Sequence, residues 1–264
     1  MAGMLAMTRW CGLALGCLLL RPAWADQPME TVVLANGEWA PYLSAQLPYQ
    51  GFASHIVSEA FRLAGIRVRY DFYPWARAEA MVRTGEVEGS VVWSITPERQ
   101  MFALFSDPVV SDEEVVFHLA TRKMAMEKIE DFYGLTMATP NGSRLGVWQQ
   151  PIDAGRIHNY VTKDIQAGMR QLLLGRLDFF PLIRSVGQAE LRQHFSQKER
   201  ASIAASPHVF SRVDYRLMLS RERPGAARLL KRFNLGLARL RSSGEYRRME
   251  KDFLAGQYDQ SPSP

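Results

Sequence analysis

The stretch "SITPERQMFALFSDP", residues 94–108, places one arginine where anion chemistry can occur. Thr96 is a good N-cap and Pro97 suits the first helical position. A reciprocal capping box takes Glu or Gln at the third helical position, yet Arg99 stands there. The reciprocal capping-box acid is therefore missing from the turn. A guanidinium beside open backbone N–H groups attracts a carboxylate from elsewhere. The plainer readings are a salt bridge from Arg99 to Asp107 or simple solvation.

Other chemistries find little support. The five histidines (His55, His118, His158, His194 and His208) show neither H-x-x-x-H nor H-x-H spacing, so no metal site is expected. No G-x-S-x-G or phosphate-cradling loop follows residue 25. Both cysteines, Cys11 and Cys17, fall within "MAGMLAMTRWCGLALGCLLLRPAWADQ". That segment combines a positive Arg9, an apolar run from Trp10 to Leu20 and an Ala23-Trp24-Ala25 cleavage signal. It reads as a signal peptide over residues 1–25, the run being too short to span a bilayer, which needs about 20 residues. An uncleaved anchor is the alternative; a lipid-modified Cys17 fits poorly after Ala14, Leu15 and Gly16. Cleavage would leave a chain without thiol or disulfide chemistry. Formal charge, +5 for the whole chain, would fall to +3 with the loss of Arg9 and Arg21. Such a weak, interspersed basic excess disfavours nucleic acid as a partner. The remaining ~239 residues suffice for two modest cores or one large one.

The elements that must hold Arg99 alternate strand and helix, the order of an α/β fold. "TVVLANG" (31–37) reads as a buried strand. Ser54 is expected to cap a helix burying Ile56, Val57, Ala60, Phe61 and Ala64, with Gly65 as its stop. "IRVRYDF" alternates like a half-exposed strand. Pro74 starts a helix that Gly85 ends before the strand "VEGSVVW". A helix is expected around Lys123 to Phe132, then the strand "LTMAT" and the turn "PNGSR" (140–144) leading toward a helix N-terminus. "YRLMLSR" (215–221) reads as a strand. Pro224 opens an amphipathic helix, and Tyr246, Met249 and Phe253 line a last one after Gly244. The tail "QSPSP" is expected to be disordered. "AMVRTGEVEGSVV" (80–92) echoes "RQLLLGRLDFFPL" (170–182), as two lobes of similar build would.

Taken together, "EWAPY" (38–42), "GF" (51–52), "GEVEGS" (85–90), "TPER" with "FSDP" (105–108), "GRLD" (175–178) and "LARLRSSGEYRRMEKDF" (237–253) carry a resemblance. The chain resembles the periplasmic solute-binding proteins of the polar amino acid type, bacterial family 3. "PWARA" and "VVWSITPER" look like a divergent subgroup. The resemblance covers nearly all of residues 30–256. It implies an α/β, two-lobe periplasmic binding protein type II fold with two hinge crossings near "EVVFHL" and "DYRLML". Lobe one would comprise 26–116 plus 218–264, lobe two 117–217, with the ligand held between them.

By the same resemblance, Arg99 clamps a ligand carboxylate, with Ser94 and Thr96 as adjacent donors. Charge-assisted hydrogen bonds contribute about 1.5–3 kcal/mol each. A bidentate pair with two donors would supply much of the roughly 8 kcal/mol of micromolar binding. Trp39 and Tyr42 match the family's aromatic wall; Trp75 and Trp93 are less usual additions, and Arg77 could be a second anion contact. Asn141, Gly142 and Ser143 match the turn that meets the carboxylate from the far side, Ser143 aided by a helix N-terminus. One departure concerns the ligand's ammonium: the family's aspartate, five residues beyond Asp178, is here Ile183, followed by Arg184. Asp178 itself is expected to orient its strand end.

The resemblance implies a small-molecule solute as ligand, an inner-membrane ABC permease or a sensor protein as partner, a monomeric state, no cofactor and a periplasmic location. A dehydratase of small carboxylates is the enzymatic alternative, with Glu38 and Glu88 as nominal cleft acids. A sensory protein signalling to a membrane kinase is the other.

Overall fold

The computed structural model describes residues 30–259 except 124 and 144. The segment expected to be a signal peptide, with Cys11 and Cys17, and the "QSPSP" tail lie outside the described residues. The first half runs β1 (Glu30–Asn36), α1 (Phe52–Leu63), β2 (Ile66–Phe72), α2 (Trp75–Thr84), β3 (Gly89–Trp93), α3 (Pro97–Phe102) and β4 (Ala103–Leu119). The second half opens with β5 (Thr136–Pro140), α4 (Gln149–Asp153), β6 (His158–Thr162), α5 (Ile165–Leu173), β7 (Phe180–Ile183) and α6 (Arg184–His194). It closes with α7 (Gln197–Ala201), β8 (Ile203–Ala205), β9 (Ser211–Ser220), α8 (Ala226–Ser242) and α9 (Glu245–Leu254).

Strands β2, β1 and β3 are parallel neighbours, and β9 and β4 continue the sheet antiparallel. The far half of β4 turns its edges to β7 and β8, while β5 pairs with β6 alongside. The long β4 and its partner β9 thus run through both halves as the two crossings of a two-lobe α/β fold. Alternation along them feeds a core on each face. In β9, Leu217 and Leu219 join Leu34, Ile56, Phe61 and Phe233, while Met218 between them joins Met81, Trp93 and Phe102. In β4, Val115 and Phe117 face Met169, Leu172 and Phe180, while Val116 faces Phe132, Trp148 and Phe179. Each lobe therefore owns cores on both sides of its sheet.

A third tie crosses between the lobes. Val186 of α6 packs into the first lobe's core. At the preceding residue, Ser185 Oγ donates to Asp112 Oδ2 and lies 3.0 Å from the Tyr42 hydroxyl, which donates to the same oxygen at 2.5 Å. Near the other end of α6, Arg192 bonds the Asp259 carboxylate and Gln193 Nε2 the Asp259 carbonyl.

Most expected elements fall where periodicity puts them, and three details differ. Helix α1 is capped by Gly51 at φ +97°, where a Cβ would strike the Tyr42 carbonyl; Ser54 lies inside the helix, its hydroxyl accepting from Asn36. The helix expected over Lys123 to Phe132 is only a 3-10 turn, Ile129–Phe132. The Asp131 carboxylate takes the backbone N–H groups of Glu127 and Lys128, and such side-chain bonds compete with helix. Helix α8 begins at Ala226 behind Gly225, with Pro224 just ahead of it. The sequence echo has a structural counterpart: Gly85 follows α2 ahead of β3 and Gly175 follows α5 ahead of β7.

Candidate functional site

A cleft of about 740 Å³ opens between the lobes, beyond the carboxyl ends of the parallel strands. Of the eleven residues the resemblance places on a ligand, eight line it: Trp39, Trp75, Trp93, Ser94, Arg99, Asn141, Gly142 and Ser143. Three do not. Tyr42 is fully buried behind Trp39, its ring between Trp39 and Phe253 and its hydroxyl on Asp112. Burial and the Asp112 charge hold that phenol well above its ordinary range. Arg77 is exposed, with its guanidinium over the Tyr73 ring. Thr96 spends its hydroxyl as the α3 cap, accepting from the Arg99 N–H at 3.2 Å.

The first lobe's wall is interlocked. Val92 in β3 holds φ +67°, a strained backbone for a β-branched residue, and the ladder to β9 shifts register there. The strand then delivers Trp93, whose indole N–H donates to Ser90 Oγ at 2.7 Å. Trp75 meets Trp93 edge-on at 5.4 Å and lies against Gly37, where a Cβ would fall 2.2 Å from the indole. The Arg99 guanidinium sits 4.4 Å over the Trp93 ring. Its Nε and Nη2 fork onto Glu79 of α2 at 3.4 and 3.1 Å, and Nη1 donates to the Ser94 carbonyl at 3.3 Å. Arg99 therefore has an anion after all, supplied by neither Asp107 nor its own turn. With its side chain 13% exposed, the pair is partly withdrawn from water. Five guanidinium N–H groups less these three leave two for a guest, among the described residues.

The second lobe's wall is looser. Asn141, Gly142 and Ser143 are exposed, and Ser143 uses its backbone N–H on the Pro140 carbonyl. The helix N-terminus expected at Ser143 is absent, since the next helical residues are the 3-10 turn Gly146–Trp148 and the short α4.

Several lining residues escaped the sequence reading: Glu114, Trp148 and Tyr215 above all. Tyr215 sets its ring edge-on to Trp39 at 5.1 Å. Glu114 Oε1 accepts from the Trp148 indole at 2.9 Å, and burial pushes this carboxyl up. Its neighbour across the ladder is Ile183, apolar and on the cleft. Arg184 turns away to Glu113. Asp178 orients a strand, accepting from the Thr136 N–H and from Arg122. Glu38 and Glu88 lie off the cleft, on the Ala45 N–H and on Val33 with Arg223. Among the described residues there is no cluster of metal-ligating side chains.

Two α/β lobes, a two-strand hinge and a polar-ended aromatic cleft define a solute-binding fold. The chain belongs to the bacterial extracellular solute-binding proteins, family 3, matching that family over residues 32–256. No curated protein is similar enough to match. Among solved structures, a histidine kinase sensor domain with similarity to periplasmic binding proteins superposes with a TM-score of 0.68 at 18% identity, over 86% of this chain and 98% of that one. The GluR0 ligand-binding core from Nostoc punctiforme, in complex with L-glutamate, gives 0.65 at 17%, over 84% and 98%. An ancestral arginine-binding protein bound to arginine gives 0.66 at 16%, over 84% and 97%. These likenesses show the fold.

Proposed function

We propose that the protein is a periplasmic, non-enzymatic binding protein. It captures a small polar solute bearing a carboxylate and presents it to an inner-membrane ABC permease. The observation that carries this reading is Arg99, held rigidly over Trp93 at the mouth between two lobes with N–H donors to spare. A carboxylate there completes the guanidinium's hydrogen bonds, and Trp39 and Trp75 cover the guest's apolar part. Closure about the crossings in β4 and β9 brings Asn141 and Ser143 onto the guest and reports occupancy by shape. Tyr42 and Thr96 act behind the cleft, by fixing the Trp39 loop and the α3 turn, while Arg77 stays on the exposed face of α2 over Tyr73. The lobes divide as 26–116 with 218–264, and 117–217, and the working unit is a monomer. A membrane kinase is the second partner class, supported by the likeness to a kinase sensor domain.

The test is thermal melting against a panel of small carboxylates, amino acids included. At least one should raise the melting temperature saturably, and Arg99→Ala should abolish that rise while the apo protein still folds. An unchanged rise in the variant removes Arg99 from the site. Turnover of any member would establish an enzyme.

A further inference from the structure

We propose that Glu114 receives a cationic group of the solute, so that the guest carries a positive charge on its hinge side as well as the carboxylate that meets Arg99. This rests on the reading of Arg99 given above and names the chemistry of the opposite end of the same cleft. The two residues are the only Asp, Glu, Lys or Arg side chains among the described cleft-lining residues. Their situations are opposite. Arg99 is neutralised by Glu79. Glu114 has no cation within ion-pair distance among the described residues.

Strand alternation explains why. The adjacent Glu113 points to the other face of β4 and takes both nearby arginines, Arg184 at 3.5 Å and Arg212 at 3.0 Å. Glu114, flanked in the sheet by Ile183 on β7 and Ser211 on β9, has among the described residues one side-chain bond, from the Trp148 indole. Its second oxygen makes no hydrogen bond among the described residues. Desolvation without a counter-ion is costly for a carboxylate, and burial already pushes this one up. Beside it stand Tyr215, whose ionisation Glu114 and Asp112 both oppose, and the Trp148 ring. A carboxylate on the cleft wall with no counter-ion among the described residues suits an ammonium or guanidinium group. Such a group would supply the missing counter-ion on binding and leave with the guest.

Calorimetric titration tests this with three matched probe sets: the common amino acids, the corresponding acids lacking the amine, and the corresponding amines lacking the carboxylate. On the unmodified protein an amino acid should bind about tenfold to a hundredfold more tightly than its des-amino partner. Glu114→Gln, which keeps an acceptor for Trp148, should bring the two within about threefold without lowering the apo melting temperature. A purely structural glutamate would lower that temperature and leave the preference intact. A des-amino acid that binds as tightly as its amino partner overturns the proposal. If that binding still depends on Arg99, the carboxylate reading survives alone. Binding by no carboxylate in either set overturns both. The comparison on unmodified protein stands even if Glu114→Gln fails to fold.

Discussion

The two walls of the cleft are built differently. On the first lobe, Gly37, Trp75, Trp93, Ser90, Arg99, Glu79 and the Ser94 carbonyl form one connected set of contacts, with few degrees of freedom left. On the second, Asn141 to Ser143 form an exposed turn held, among the described residues, by backbone-to-backbone bonds. A rigid wall loses little entropy when a guest arrives, whereas a loose one is ordered only on closure. On the proposed function, the contrast assigns most of the affinity to the first lobe, with the second lobe and the hinge reading the guest and the closed shape.

Breaking the rigid wall should therefore cost most. Gly37→Ala drives a methyl group into the Trp75 indole. It should lower stability by about 1–3 kcal/mol, read by denaturant melting, and weaken solute binding with it. Glu79→Ala leaves Arg99 in place without its fork, and titration should show roughly tenfold weaker binding as the guanidinium loses its aim. If Glu79→Ala binds as well as the parent, rigidity on this wall is not what the guest uses.

The hinge end sharpens the comparison through pH. The folded state holds the Glu114 carboxyl above its ordinary value because burial disfavours the charge. The stability this gives the protonated form is complete below the unfolded-state value and is lost as pH rises through the raised folded value. The ionised form, which a cationic guest needs, is depleted in the opposite direction. Affinity for an amine-bearing solute should fall as pH is lowered from neutral toward that raised value, while Glu114→Gln should flatten the profile. The smallest effect belongs to the loose wall: Asn141→Ala and Ser143→Ala should each change affinity by no more than about fivefold, chiefly in the dissociation rate.

What could be read from sequence divides along the same line. Local signals sufficed for α2, β3 and the α3 cap, since Pro74, Gly85, Thr96 and Pro97 act within a few residues of themselves. Arg99 stood out because it occupies the third helical position, where a capping box carries an acid; the turn's own acid, Glu98, pairs with Arg83 instead. Its true partner was hidden because Glu79 sits on another helix, and only the packing of α2 against β3 brings them together. The hinge end was illegible for a sharper reason. Which of Glu113 and Glu114 faces the cleft depends on the register of β4 against β7 and β9, and one residue of slip exchanges them. Tyr42 shows the converse error: its aromatic type and its place beside Trp39 suggested a wall, yet its hydroxyl is taken by half-buried Asp112 and buried Ser185.

The central claim is that a carboxylate-bearing solute lies between the lobes with its negative end on Arg99. A crystal structure of the complex with whichever solute raises the melting temperature tests it most directly. The account predicts carboxylate oxygens within about 3 Å of the Arg99 Nη atoms, over the Trp93 face, with both lobes touching the guest. A guest bound elsewhere, or an Arg99 guanidinium facing bulk water in the occupied protein, would contradict it.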